Sequence, residues 1–452
     1  VDSTTAQISR FAQALRYEDI PPAVRDLAVQ HIVDSLACAY AARDCDAARI
    51  ATALAHPVAP TAPGGNDFTG RVIGSPDLVA ADLAGFVNAA MIRYLDYSDT
   101  MVPGGHPSDC LGGLLAVAAT RGSSGKELVT ALVVAYEVFA RFGASAYIRK
   151  RGFDQGLTVG ISLAAGLGNL LGMSVEQIAH AVSLTTVTTV SLRATRAGTI
   201  SMWKGAATAE AVRETVFLAA LAERGLTGPD KPFEGRHGVW EIVTDREFTF
   251  TDFPAEGGPY LFETNAHLKY WPVEFNTQVA VWAARELREK VALDDIAGVH
   301  LGTYWSAWHE TGSEKDKWNP TTRETADHSL PYIFSKALVD GEITIATFAP
   351  EQYLDPGIRT VMDRVTVGQD EEMDALFPEV IAMRVTARLT DGSTVELRSE
   401  KARGHALNRM SRDETSAKFR QLVTAERAGA ALDFWWSLAE QDDVAQGFEL
   451  LA

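Results

Sequence analysis

Four short segments of this chain hold the residue types needed to move protons and to hold anions. The richest is Asp96-Tyr97-Ser98-Asp99-Thr100, followed by Gly104-Gly105-His106-Pro107-Ser108-Asp109. Acid, base and flexible backbone close together are what proton transfer at carbon requires. Two carboxylates three residues apart can share one helix face, and the glycines and the His-Pro pair end a helix and form a loop. A helix C-terminus with polar caps and an ordinary loop reads the same way. The second segment carries Arg193, Arg196 and Lys204 among apolar neighbours. Guanidinium forks suit carboxylates, although a solvated interhelical loop would also contain them. The third, His267 to Glu274, sets Lys269 and Glu274 either side of an aromatic pair and a proline, as a ligand site or a structural junction would. In the fourth, Asp327 precedes His328, and Tyr332 follows at helical spacing with Pro331 between. A hydrogen-bonded structural histidine fits there as well as a functional one.

Other chemistries find no support. HExxH, CxxC, EF-hand, GxGxxG, P-loop and Gly-x-Ser-x-Gly patterns are absent. Cys38, Cys45 and Cys110 are scattered, so neither an iron–sulfur centre nor a disulfide framework is expected, and a reducing compartment such as the cytoplasm fits. Cys38, inside an apolar helical stretch, reads as a buried inert thiol. No metal and no cofactor are expected. A net charge of −18 speaks against nucleic acid but leaves room for a locally positive pocket. No apolar run reaches the roughly 18 residues of a membrane span, the nearest, at 83–95, being broken by Asn88 and Arg93. No signal peptide is visible at Val1-Asp2-Ser3, and the missing initiator Met leaves open a removed targeting segment.

These segments must be positioned by a fold of more than one core, given 452 residues of ordinary globular composition. Helical periodicity runs through 23–42, 126–147, 174–189 (opened by a capping box) and 206–224. Many of these stretches are apolar on nearly every face and rich in Ala and Gly, as helices buried in a bundle are. The character changes near residue 270. A helix over 276–290, a strand over 296–304, a helix over 332–339 and a hairpin around Asp391-Gly392 are expected, with helices again at 413–426 and 428–439. The expected fold is mainly α: a discontinuous helical domain, 1–268 plus 404–452, with an inserted smaller α+β domain over 269–403.

The strings Leu95 to Thr100, His106 to Gly112, Ser201 to Gly205, Trp271 to Phe275 and Asp327 to Tyr332 occur in an order that resembles the MmgE/PrpD family, from about residue 32 to 420. That family includes 2-methylcitrate dehydratases, cis-aconitate decarboxylases and an iminodisuccinate epimerase. The resemblance implies a large helical domain with an α+β lid, a homodimer, and a cofactor-free hydro-lyase acting on a 2-methylcitrate-like tri- or dicarboxylate. Asp96, Thr100, His106, Lys269 and Tyr332 match the family's active-site positions. The decarboxylases carry histidines where this chain has Asp154 and Glu274, which, with Asp109 and Lys204, resembles the dehydratase branch. Dehydration needs a base, an acid at the leaving oxygen and cations for the developing charge. His106 and Asp96 are the implied acid–base centre, their order open, with Tyr332 donating from the lid. Lys204, Lys269 and Arg193 or Arg196 would bind carboxylates, and Thr100, Glu274 and His328 would line the site. Decarboxylation or epimerisation of a related polycarboxylate needs the same anion cradle. A helical binding protein that lost its chemistry would be expected to lack one of these charged residues.

Overall fold

The computed structural model describes residues 1–58 and 68–452 and is mainly helical. The helices follow the sequence signals closely. Pro22–Ala41 starts on a proline at its first position. Gly125–Ser145 and Val175–Thr188 both open with capping boxes, Ser124 with Glu127 and Ser174 with Gln177. Trp203–Glu223 begins three residues ahead of the expected start.

Buried apolar residues fall into two clusters. One gathers residues 8 to 266 together with 419 to 451, and the other runs from Trp271 to Ala402. In the first, small residues let backbones approach. A Cβ on Gly112 would lie 2.5 Å from the amide nitrogen of Ala89, so the Asp109–Arg121 helix packs on Ala81–Tyr94 only because residue 112 has no side chain. Gly125–Ser145 differs from the sequence expectation, being long and apolar enough to cross a membrane by length and composition. It is a core helix. It is buried on nearly all sides and carries a fully buried Glu137–Arg141 ion pair.

The second cluster packs the Gln278–Lys290 and Leu330–Asp340 helices with a four-stranded sheet. Its order is Val365–Gln369, Ile296–Thr303, Ala382–Leu389, Thr394–Glu400, with the first pair parallel and the others antiparallel. The hairpin turns where expected, with Gly392 at φ 88°. Val365–Gln369 was not anticipated.

Two connections matter for the site. Thr100–Met101 pairs antiparallel with Ala266–His267, which fixes the loop after Asp96 against the segment leading to Lys269. Lys418 reaches in from the Arg412–Leu422 helix, pairs with buried Asp34 at 2.7 Å and donates to the carbonyls of Tyr97 and Lys269.

Candidate active site

Asp96 is the centre of a buried charge cluster. The preceding helix ends at Tyr94, so Asp96 and Asp99 do not share a helix face as their spacing allowed. Asp96 takes a left-handed conformation, φ 50°, uncommon outside glycine and characteristic of functional sites. Its carboxylate accepts from Arg93 at 2.9 Å and from Lys269, and the Lys204 ammonium lies 3.3 Å away. Lys269 also donates to the Asp96 carbonyl at 2.9 Å. Burial opposes ionisation, but Arg93, Lys269, Lys204 and His328 outweigh it and hold Asp96 well below the usual carboxylate range. A carboxylate held so firmly ionised is a poor acid and a weak base.

Asp327 and His328 complete the cluster. Lys204 donates to Asp327 at 2.8 Å, Arg323 lies 3.3 Å from its other oxygen, and the Nδ1 of His328 is 2.7 Å from it. The Lys204 ammonium meets the same Nδ1 at 3.2 Å, and Nε2 lies 3.5 Å from Asp96. Burial, then Lys204, pushes His328 down to about 4, so it is neutral. Asp96, Asp327 and His328 form a set of metal-ligand types that chain spacing did not show. Lys204 stands among them, within 3.3 Å of all three, so an ammonium fills the place a cation would take. The four cations Arg93, Lys204, Lys269 and Arg323 face two carboxylates, leaving an excess of two positive charges.

His106 lies beside this cluster in a cleft lined also by Thr100, Gly104, Tyr147, Arg149, Glu274 and Asn276. Its Nδ1 is 2.8 Å from the carbonyl of Asp99, which assigns the proton there and frees Nε2. Its amide donates to Gln155 at 3.0 Å, and Gln155 reaches on to Asp109 at 3.4 Å. Burial, then the charges of Arg93 and Lys269, push His106 well below the ordinary histidine range. It is therefore a neutral base.

The loop that carries His106 depends on Gly105, at φ 147°, where a Cβ would lie 1.6 Å from the Gln155 oxygen. The hydroxyl of Thr100 donates to the Gly105 carbonyl at 3.0 Å. Asp99 turns away to His31 at 2.7 Å, Tyr136 at 2.6 Å and the Ser108 amide at 3.1 Å, so it positions the loop rather than the substrate.

Glu274 lines the same cleft, accepting from the backbone and side-chain amides of Asn276 at 2.8 Å. Burial is the main cause that raises its carboxyl to about 7, against the pull of Lys269. Arg193 and Arg196 are placed apart from Asp96. Arg196 pairs with Asp154 at 2.9 Å, and Arg193 with Glu310. Tyr332 is not in the site. It is fully buried in the second cluster, and its hydroxyl donates to the Thr347 carbonyl at 2.5 Å. Arg93, Arg149, Arg323 and Asp327 were missed as site residues. Arg93 had shown itself only as the charge breaking an apolar run.

Cys38, as expected, is a buried thiol, raised to about 12 mainly by burial. Asp109 gives a test of the site's electrostatics. It is fully buried, one oxygen lacks a partner among the described residues, and burial raises its carboxyl to about 7. A folded-state pKa above the unfolded value favours folding at low pH and loses that contribution as pH rises through 7. Asp109→Asn should therefore match the parent near pH 4 and exceed it by roughly 4 kcal/mol above pH 7, since each pH unit between the two pKa values is worth about 1.4 kcal/mol. Urea unfolding of both proteins at pH 5 and 8 measures this. A difference that does not grow with pH would show that Asp109 ionises freely.

The MmgE/PrpD N-terminal domain matches residues 6–251, and the MmgE/PrpD C-terminal domain matches residues 271–431. The chain is similar to the 2-methylcitrate dehydratase of Escherichia coli, at 30 % identity over 84 % of this chain and 82 % of the relative. It is similar to that of Cupriavidus necator at 29 %, over 84 % and 81 %. The mitochondrial 2-methylcitrate dehydratase of Yarrowia lipolytica is 28 % identical over 76 % and 70 %. This chain, with its neutral histidine beside a cationic cluster, is a lyase and belongs to the MmgE/PrpD family.

Proposed function

We propose that the protein dehydrates 2-methylcitrate, or a closely similar hydroxylated tricarboxylate, to the corresponding cis-aconitate. The carrying observation is that a neutral His106 with a free Nε2 shares its cleft with Glu274, next to a cluster with excess positive charge. His106 takes the proton next to a substrate carboxylate. Lys204 and Lys269, fixed by Asp96 and Asp327, stabilise the charge that develops on that carboxylate. Glu274, protonated near neutral pH, delivers a proton to the departing hydroxide. The cleft opens between the two apolar clusters, and we take residues 269–403 as an inserted lid over it, in a homodimer.

Incubation with 2-methylcitrate, citrate, isocitrate and cis-aconitate, followed by mass spectrometry and NMR, tests the reading. Loss of water from 2-methylcitrate is expected, with kcat falling as pH rises through about 7 and Glu274 loses its proton. Loss of carbon dioxide, or inversion without loss, would replace dehydration by another reaction at the same site.

A further inference from the structure

Arg149 is placed differently from every cation around it. The Ile148–Arg151 turn carries three basic residues in a row. Lys150 lies over the rings of Tyr147 and Trp305, and Arg151 pairs with Asp245 at 2.7 Å, both towards solvent. Arg149 turns inward and lines the cleft with His106 and Glu274. Its guanidinium makes no hydrogen bond or ion pair among the described residues, and its buried Nε has no partner. One terminal nitrogen lies 3.0 Å from the point a Gly105 Cβ would occupy, so the glycine that shapes the His106 loop also admits the guanidinium.

The turn is pinned from behind. The amide of Arg193 donates to the Gly152 carbonyl at 2.9 Å and that of Asp154 to Ser191 at 2.8 Å. Arg193 and Arg196 then take up the carboxylates of Glu310 and Asp154 directly, and Arg149 feels those two charges only at longer range, without a direct pair among the described residues. An unpaired guanidinium on a cleft wall is costly unless an anion reaches it.

We propose that Arg149 binds one carboxylate of the substrate, separately from the lysine cluster around Asp96, and so selects acids with a third carboxylate. The charges fit that division. The Asp96 cluster has an excess of two positive charges and the arginine group an excess of one, against the three negative charges of a tricarboxylate. The inference rests on the dehydratase reading for its substrate class, but it is tested by binding, independently of turnover.

Propane-1,2,3-tricarboxylate lacks the hydroxyl and cannot be dehydrated, and glutarate is the same acid without the central carboxylate. Calorimetry on the full chain should show Arg149→Ala weakening the tricarboxylate roughly 10- to 100-fold, as loss of a charge-assisted fork does. Glutarate should weaken less than about threefold, since a dicarboxylate can retreat to the remaining cations. Arg149→Lys, which keeps the charge without the fork, should fall between, and Arg151→Ala should behave as the parent. Should Arg149→Ala fail to fold, the same comparison between the two acids is read from Arg149→Lys. Tricarboxylate affinity within about twofold of the parent, equal losses for both acids, or a parent that binds neither would overturn the proposal. Arg149-dependent binding without turnover of any tricarboxylate would instead leave the clamp and remove the dehydratase reading.

Discussion

Replacing His106 by alanine is expected to lower kcat roughly 10²–10⁴-fold, the contribution of a positioned acid or base. The expectation rests on how little else the imidazole holds. The loop is fixed through the backbone of residue 106, whose amide donates to Gln155, and through Thr100 and Asp99. The side chain itself makes one structural hydrogen bond, from Nδ1 to the Asp99 carbonyl. Its removal should therefore leave stability and substrate affinity near those of the parent while turnover collapses. His328→Ala is the sharp comparison. That histidine is bound to Asp327 inside the charge cluster, with its Nε2 3.5 Å from Asp96. If His328 is a positioning residue, its loss should raise KM and reduce kcat less. A folded His106→Ala enzyme with near-normal turnover would move the base to His328, whose Nε2 lies 3.5 Å from Asp96.

Most of the helical architecture was legible because it rests on local signals. Capping boxes at Ser124 and Ser174, the proline opening Pro22–Ala41 and the Asp391-Gly392 turn each act over a few residues. The site was legible only as a set of candidates. Lys204, Lys269 and His328 were found, yet their common partner Asp96 became evident only in three dimensions, because burial decides what a carboxylate does. Asp96 and Asp99 have the same type and sit three residues apart, yet one binds lysines and the other a histidine and a tyrosine. Tyr332 shows the converse. Its helical spacing from His328 suggested a shared face, but the Leu330–Asp340 helix begins between them, with Ser329 as its cap, and turns the ring into the second core. Arg149 could not be separated from Lys150 and Arg151 by composition, since only tertiary packing distinguishes the inward cation.

Asp96→Asn should destabilise the protein by roughly 3–5 kcal/mol, the cost of removing one partner from a buried ion pair. Asp96 is a counter-ion of Arg93, Lys269 and Lys204, all of them almost wholly buried, and the amide leaves that charge with Asp327 alone. Lys269 would be driven towards its neutral form, since burial already lowers it and Asp96 is the charge that raises it most. Activity should fall with stability, as a neutral lysine no longer holds an enediolate. A structural role and a role in the anion cradle diverge in their response to ligand. A ligand that binds only the folded state stabilises it by mass action, and a carboxylate entering the cluster would replace the charge that Asp96 supplied. Propane-1,2,3-tricarboxylate should therefore raise the melting temperature of Asp96→Asn by more than that of the parent. An equal or smaller rise in the variant would mean that substrate carboxylates never reach Lys204 and Lys269. Those lysines would then serve only to hold Asp96, leaving Arg149 and its neighbours as the principal anion site.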